Sequence, residues 1–103
     1  MPNGDDKNVA RLTMVCAAHH RKFGEWPSYV RMEPRILANL VTLLGHTQFV
    51  ELAERLRFST RKRGGLGVGS RRGFTDYSKM EGYGDGELAE RWLAVRPLPE
   101  FEH

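Results

Sequence analysis

The sequence predicts an α+β fold: a small single domain over residues 1–103, with helices packed on one side of a small, mostly antiparallel sheet that contains a late Gly/Arg-rich β-hairpin. Three observations point there. Apolar residues recur at spacings of three and four within 9–23, 36–44 and 49–56, the period of an amphipathic helix. Short stretches at 28–32 and beyond Phe58 instead alternate with period two, as half-buried strands do. The length of 103 residues leaves room for one modest core and no second domain.

Residues 1–5 read as a polar N-terminal tail, and Asp5, Asp6 or Asn8 suits the cap of a first helix running to about Phe23. Val9, Leu12, Val15, Cys16, His19 and Phe23 form its apolar face. Gly24 suits a left-handed C-terminal residue, and Arg21 and Lys22 suit the negative end of the helix dipole. Pro27 biases Trp26 to extended backbone and turns the chain, with Trp26 expected as a lid over the core. Residues 28–32 then read as a strand, Val30 and Met32 on one face, Tyr29 and Arg31 on the other.

Pro34 suits the first turn of a second helix, whose broad stripe of Ile36, Leu37, Leu40, Val41 and Leu44 ends at Gly45. Thr47 is the expected N-cap of a third, with Phe49, Leu52, Ala53 and Leu56 inward and Glu51 paired with Arg55. So short a connection implies a helical hairpin or a steep crossing. Residues 58–62 and 66–70 read as two strands joined through Arg63, Gly64 and Gly65. Leu66 and Val68 share one face of the second strand. Gly67 and Gly69 leave its other face bare, fit for close approach of a backbone, an aromatic ring or a ligand.

Residues 73–77 return as a third strand or a packed loop. Ser78 and Glu81 have capping-box spacing, but Gly82-Tyr83-Gly84 limits any helix there to one turn. Asp85 caps a last helix from Gly86 to about Val95, with Leu88, Trp92 and Val95 or Leu93 inward and Glu87 paired with Arg91. Pro97 stops it, and residues 97–103 read as a C-terminal tail.

Charge supplies the functional lead. The net charge is only +3, yet residues 55–73 carry seven basic side chains and no acidic one, against six and six in 1–54 and three and seven in 74–103. Arg61, Lys62 and Arg63 at one tip and Arg71 and Arg72 at the far end are candidates for phosphate contact. Phe58, Phe74 and Tyr77, with Tyr29, are candidates for base stacking. The expected function is a small non-enzymatic binding protein whose basic hairpin contacts a polyanion, nucleic acid favoured. The alternative is a protein-interaction module, an adaptor or inhibitor, that binds an acidic protein surface or pairs by a strand edge, including pairing as a homodimer.

Other chemistries fit less well. Gly64 and Gly69 have phosphate-loop spacing, but Ser70-Arg71 stands where Lys followed by Ser or Thr is needed. Gly67-Val68-Gly69 likewise fails the dinucleotide fingerprint. A helix-turn-helix would expose Glu51 and Glu54 on its recognition helix, where they repel phosphate. His19 and His20 point about 100 degrees apart on a helix and cannot share a metal, so neither metal nor cofactor is expected. One of the two is expected at the core edge and the other exposed. Cys16 reads as a small hydrophobe, and a single cysteine excludes an internal disulfide. The chain opens without a secretory pattern, and its longest apolar run, near 40–44, is far below the roughly 18–20 residues of a membrane span. A cytoplasmic protein with no membrane partner is expected. Twelve Arg against four Lys point to a GC-rich bacterial or phage genome.

Overall fold

The fold is built on α1 (Asn8–Phe23), where the helical periodicity is longest. The computed structural model describes residues 7–82 and 84–94. Leu12, Val15, Cys16 and His19 line a fully buried stripe of α1, as their spacing dictates. Gly24 ends the helix in the left-handed conformation (φ 74°), donating its N–H to the His20 carbonyl at 2.8 Å. At the other end Asn8 is not a cap. It is a buried first-turn residue whose side-chain amide donates to Asn39 Oδ1 at 2.9 Å, tying α1 to α2. The alternative caps Asp5 and Asp6, the inward Val95, the stop at Pro97 and both expected tails lie outside the described residues.

The chain continues as β1 (Tyr29–Met32), α2 (Pro34–Leu44), α3 (His46–Ala53), β2 (Arg57–Thr60), β3 (Leu66–Ser70), β4 (Gly73–Asp76), a single 3-10 turn (Tyr77–Lys79) and α4 (Gly86–Leu93). Pro34 occupies the first turn of α2 as expected, its missing N–H costing nothing there. α2 and α3 meet at a bend of 118° across Gly45, the steep crossing allowed by so short a connection. Gly45, and not Thr47, precedes the first residue of α3, because φ 82° at that position turns the chain and starts the helix two residues early. Arg55 reaches the Glu51 backbone carbonyl (3.3 Å). Asp85 does cap α4, accepting the Leu88 N–H at 3.1 Å.

The sheet order is β2-β1-β3-β4, with β1 parallel to β2 and the β1–β3 and β3–β4 pairs antiparallel. The architecture is thus α+β with a mixed, mostly antiparallel sheet. The expected pairing of 58–62 with 66–70 does not occur: β1 lies between those strands, and residues 61–65 arch over its end. Arg61 N–H donates to the Met32 carbonyl (3.0 Å), Glu33 N–H to the Gly65 carbonyl (3.1 Å), and Gly65 N–H to the Glu33 carboxylate (2.7 Å). Gly64 and Gly65, both at positive φ, make that arch possible. The late Gly/Arg-rich hairpin is β3–β4, closed by Arg71 and Arg72. The parallel β1–β2 pair needs a crossover, and α2 with α3 supplies it.

Val30 and Met32 of β1 and Leu66 and Val68 of β3 face the helices and join Leu12, Val15, Leu40, Leu52, Leu56 and Leu93 in one core. Leu88, expected inward, is 37% exposed; Ala89 and Leu93 take its place. A shift of one residue in the inward set turns a helix face by about 100 degrees, and the small Ala89 lets α4 lie close to α1. Trp26 is a half-buried lid as expected, stacked between His20 (4.0 Å) and Trp92 (4.8 Å), and so bridges α1 to α4. Among the described residues no helix is long and apolar enough to cross a membrane.

Candidate polyanion interface on the open sheet face

Alternation along the strands places Tyr29 and Arg31, Arg57 and Ser59, Gly67 and Gly69, and Phe74 and Asp76 on the face away from the core. Arg31, Arg57 and Ser59 are exposed there. The bare glycines of β3 are covered by rings of the chain itself. A methyl group on Gly69 would lie 2.3 Å from Tyr29 Oη, and one on Gly67 2.4 Å from Phe74 Cζ. The two rings therefore rest directly on the β3 backbone, tilted by 25° to each other with centroids 6.2 Å apart. Arg31 lies over Tyr29 (5.4 Å) and Arg61 over Phe74 (5.5 Å), so the aromatic pair is flanked by guanidiniums on both sides.

The basic residues of 55–73 divide between the two ends of β3. Lys62 and Arg63 are exposed on the arch beside the Met32 end of β1, and Arg71 and Arg72 form the hairpin tip beside the Tyr29 end. Arg61 is not an open phosphate contact. Its side chain is 21% exposed, pairs with Asp76 at 3.4 Å and donates to the Gly64 carbonyl, so it shapes the arch. Arg72 is partly committed as well, donating to the Phe23 carbonyl at the end of α1 (3.0 Å) and facing Glu25 (3.4 Å). Arg71 is 87% exposed, with Glu25 at 3.9 Å. Phe58 and Tyr77 are not available for stacking. Phe58 points inward against Phe49 (4.9 Å), and Tyr77 packs on the core. Phe74 is 37% exposed and the half-buried Tyr29 stands beside it. Arg57 and Arg31 were the missed members. The alternation at 28–32 had already set Tyr29 and Arg31 on one face, but Arg57 joined them only through long-range register.

Behind the hairpin tip, buried His19 uses both ring nitrogens: Nδ1 lies 2.9 Å from Thr75 Oγ1 and Nε2 2.9 Å from Ser70 Oγ. Burial holds the imidazole below its ordinary pKa, so the ring is neutral, with one donor and one acceptor. The Ser70 hydroxyl holds the Glu25 carboxyl below its usual range, helped by Arg72 and Arg71. Ser70 Oγ also accepts the Arg72 N–H (3.2 Å). His19 is fully buried and is a positioning residue: with Glu25 it pins the hairpin tip to α1. Cys16 is fully buried too, its thiol pushed up by desolvation. Compared with known proteins, the chain matches no family model, no curated sequence and no solved structure.

Proposed function

We propose that the protein is a small cytoplasmic, non-enzymatic binder of single-stranded nucleic acid and that the open sheet face is its binding surface. The observation that carries this reading is the pair of aromatic rings on a side-chain-free glycine floor, flanked by arginines. Every base has a π-face, so rings lying on a sheet can take successive unstacked bases without sequence preference. Arg31 and Arg57 across the face, Lys62 and Arg63 at one end and Arg71 at the other suit the phosphates that flank such bases. A duplex offers no free bases to the platform, and Glu51 in α3 with Glu54 at its C-cap argues against that helix entering a groove.

Fluorescence anisotropy of a labelled single-stranded oligonucleotide, repeated across a salt series, tests the reading. Binding is expected with a log–log salt slope of about −3, four to five phosphate contacts at roughly −0.7 each. Duplex DNA of equal length is expected to bind more weakly. Arg31→Glu with Arg57→Glu abolishes binding while leaving the circular dichroism spectrum unchanged, since both side chains are exposed. Absence of binding at low salt would overturn the proposal and move the same face to the competing reading, an acidic protein partner.

A further inference from the structure

Where β4 ends the sheet, an open groove of about 600 Å³ runs along its free edge, between that strand, the last turns of α1 and residues 79–82. Phe74, the more exposed half of the aromatic pair, also lines this groove, which makes it continuous with the outer sheet face. Ala18 and Met80 supply further apolar lining; Arg21, Lys22 and Lys79 supply positive charge. Two carboxylates are present: Asp76 is engaged by Arg61, and Glu81 stands exposed on the rim. The balance is basic, although the segment following Gly73 is acidic in sequence.

We propose that this groove is a nucleotide subsite. It receives the nucleotide that follows the bases on Tyr29 and Phe74, as the strand passes over the β4 edge; the base lies against Phe74 and Met80 and its phosphate between Lys22 and Lys79. The inference rests on the single-strand reading above and extends it by giving the bound strand a direction off the sheet. Size agrees, since pockets that hold small organic ligands span about 300–1,000 Å³. Chemistry agrees as well: one apolar wall for a base and two exposed ammonium groups for an anion are the two requirements of a nucleotide, the Lys22 ammonium lying also over the Phe23 ring (5.5 Å).

The test compares a dinucleotide, long enough only for the bases on Tyr29 and Phe74, with an oligonucleotide of about twelve residues, long enough for platform and groove. Lys22→Glu with Lys79→Glu is expected to weaken the longer oligonucleotide at least about tenfold and to lower its salt slope by about 0.7, one phosphate at roughly 0.7. The shorter one changes by no more than about twofold, because its phosphate lies on the sheet face and not between the two lysines, and exposed charges are partly screened by salt. A charge-matched control, Arg35→Glu with Arg55→Glu on the helical side, moves both lengths equally and little. Glu81→Gln strengthens the longer oligonucleotide alone, a gain that misfolding cannot imitate. Equal losses at both lengths, or none at either, overturn the subsite while leaving the platform standing. If the unaltered protein binds neither length, the platform reading fails and the subsite falls with it.

Discussion

On the inner face of the sheet Val30, Met32, Leu66 and Val68 are at most 4% exposed, whereas on its outer face Arg31 and Arg57 are exposed and Phe74 is 37% exposed. The inner set meets a core of leucines from the helices; the outer set meets its own arginines and solvent. Strand side chains alternate, so neighbouring residues on one strand answer to different physics: cavity cost on one side, stacking and charge on the other. Stability and recognition should therefore respond to separate substitutions.

The sharpest way to break that separation is Met32→Ala, which should cost about 2–5 kcal/mol in urea unfolding, by lost transfer energy and the cavity left behind. The fraction that remains folded should bind an oligonucleotide as before. Next, Phe74→Ala on the outer face should lower affinity for single strands by about 1–3 kcal/mol, the worth of one stacked base. Its unfolding midpoint should move little, and a loss of stability rivalling that of Met32→Ala would mean that the faces are not independent.

His19 tests where the inner face becomes polar. His19→Leu leaves the Ser70 and Thr75 hydroxyls without the imidazole and should destabilise by about 1–3 kcal/mol. The pH dependence follows from burial, reinforced by His20 and Lys22 and opposed by Glu25. The folded pKa lies below the unfolded one, so the unfolded chain binds more protons in between. Stability is fully present above about pH 6.5 and is lost as pH falls from there through the lowered folded value. Glu25 adds a second loss at lower pH, beginning near 4.5, because its folded pKa is also depressed. Unfolding midpoints between pH 8 and about 5 should show the first decline in the unaltered protein and not in His19→Leu. The smallest effect belongs to Gly69→Ala. Its new methyl meets the end of Tyr29, which can swing outward at an off-rotamer cost of about 0.5–1.5 kcal/mol, so binding should suffer more than folding.

Much of this was legible in the chain. Gly24, Pro34 and Asp85 mark helix ends by local chemistry, and the alternation at 28–32 sorts Tyr29 and Arg31 from Val30 and Met32. Strand neighbours were not legible. A basic Gly-rich connection between two alternating stretches suits a hairpin, and equally suits an arch over a strand already in place. The choice went to the arch because β1 has two buried residues and needs a partner on each edge. For the site, the exposure of Arg71 and Phe74 agreed with their sequence neighbourhood. Arg61 did not, since its partner Asp76 is fifteen residues on; nor did Phe58 and Tyr77, whose aromatic rings served the core.

By itself the sequence determined most of the helices, the period-two segments, the split of β1 into an apolar and a polar side, and the excess of positive charge in 55–73. These follow from steric and periodic rules that act over a few residues. Tertiary structure alone decided that β1 separates β2 from β3, that Tyr29 and Phe74 meet across a glycine floor, that Arg57 joins Arg31, and that Arg21, Lys22 and Lys79 gather at the β4 edge. Such neighbours are chosen by which arrangement buries the most apolar surface while pairing most buried polar groups, as His19 does with Ser70 and Thr75. That balance is struck over the whole chain at once, and no short stretch of it carries the answer.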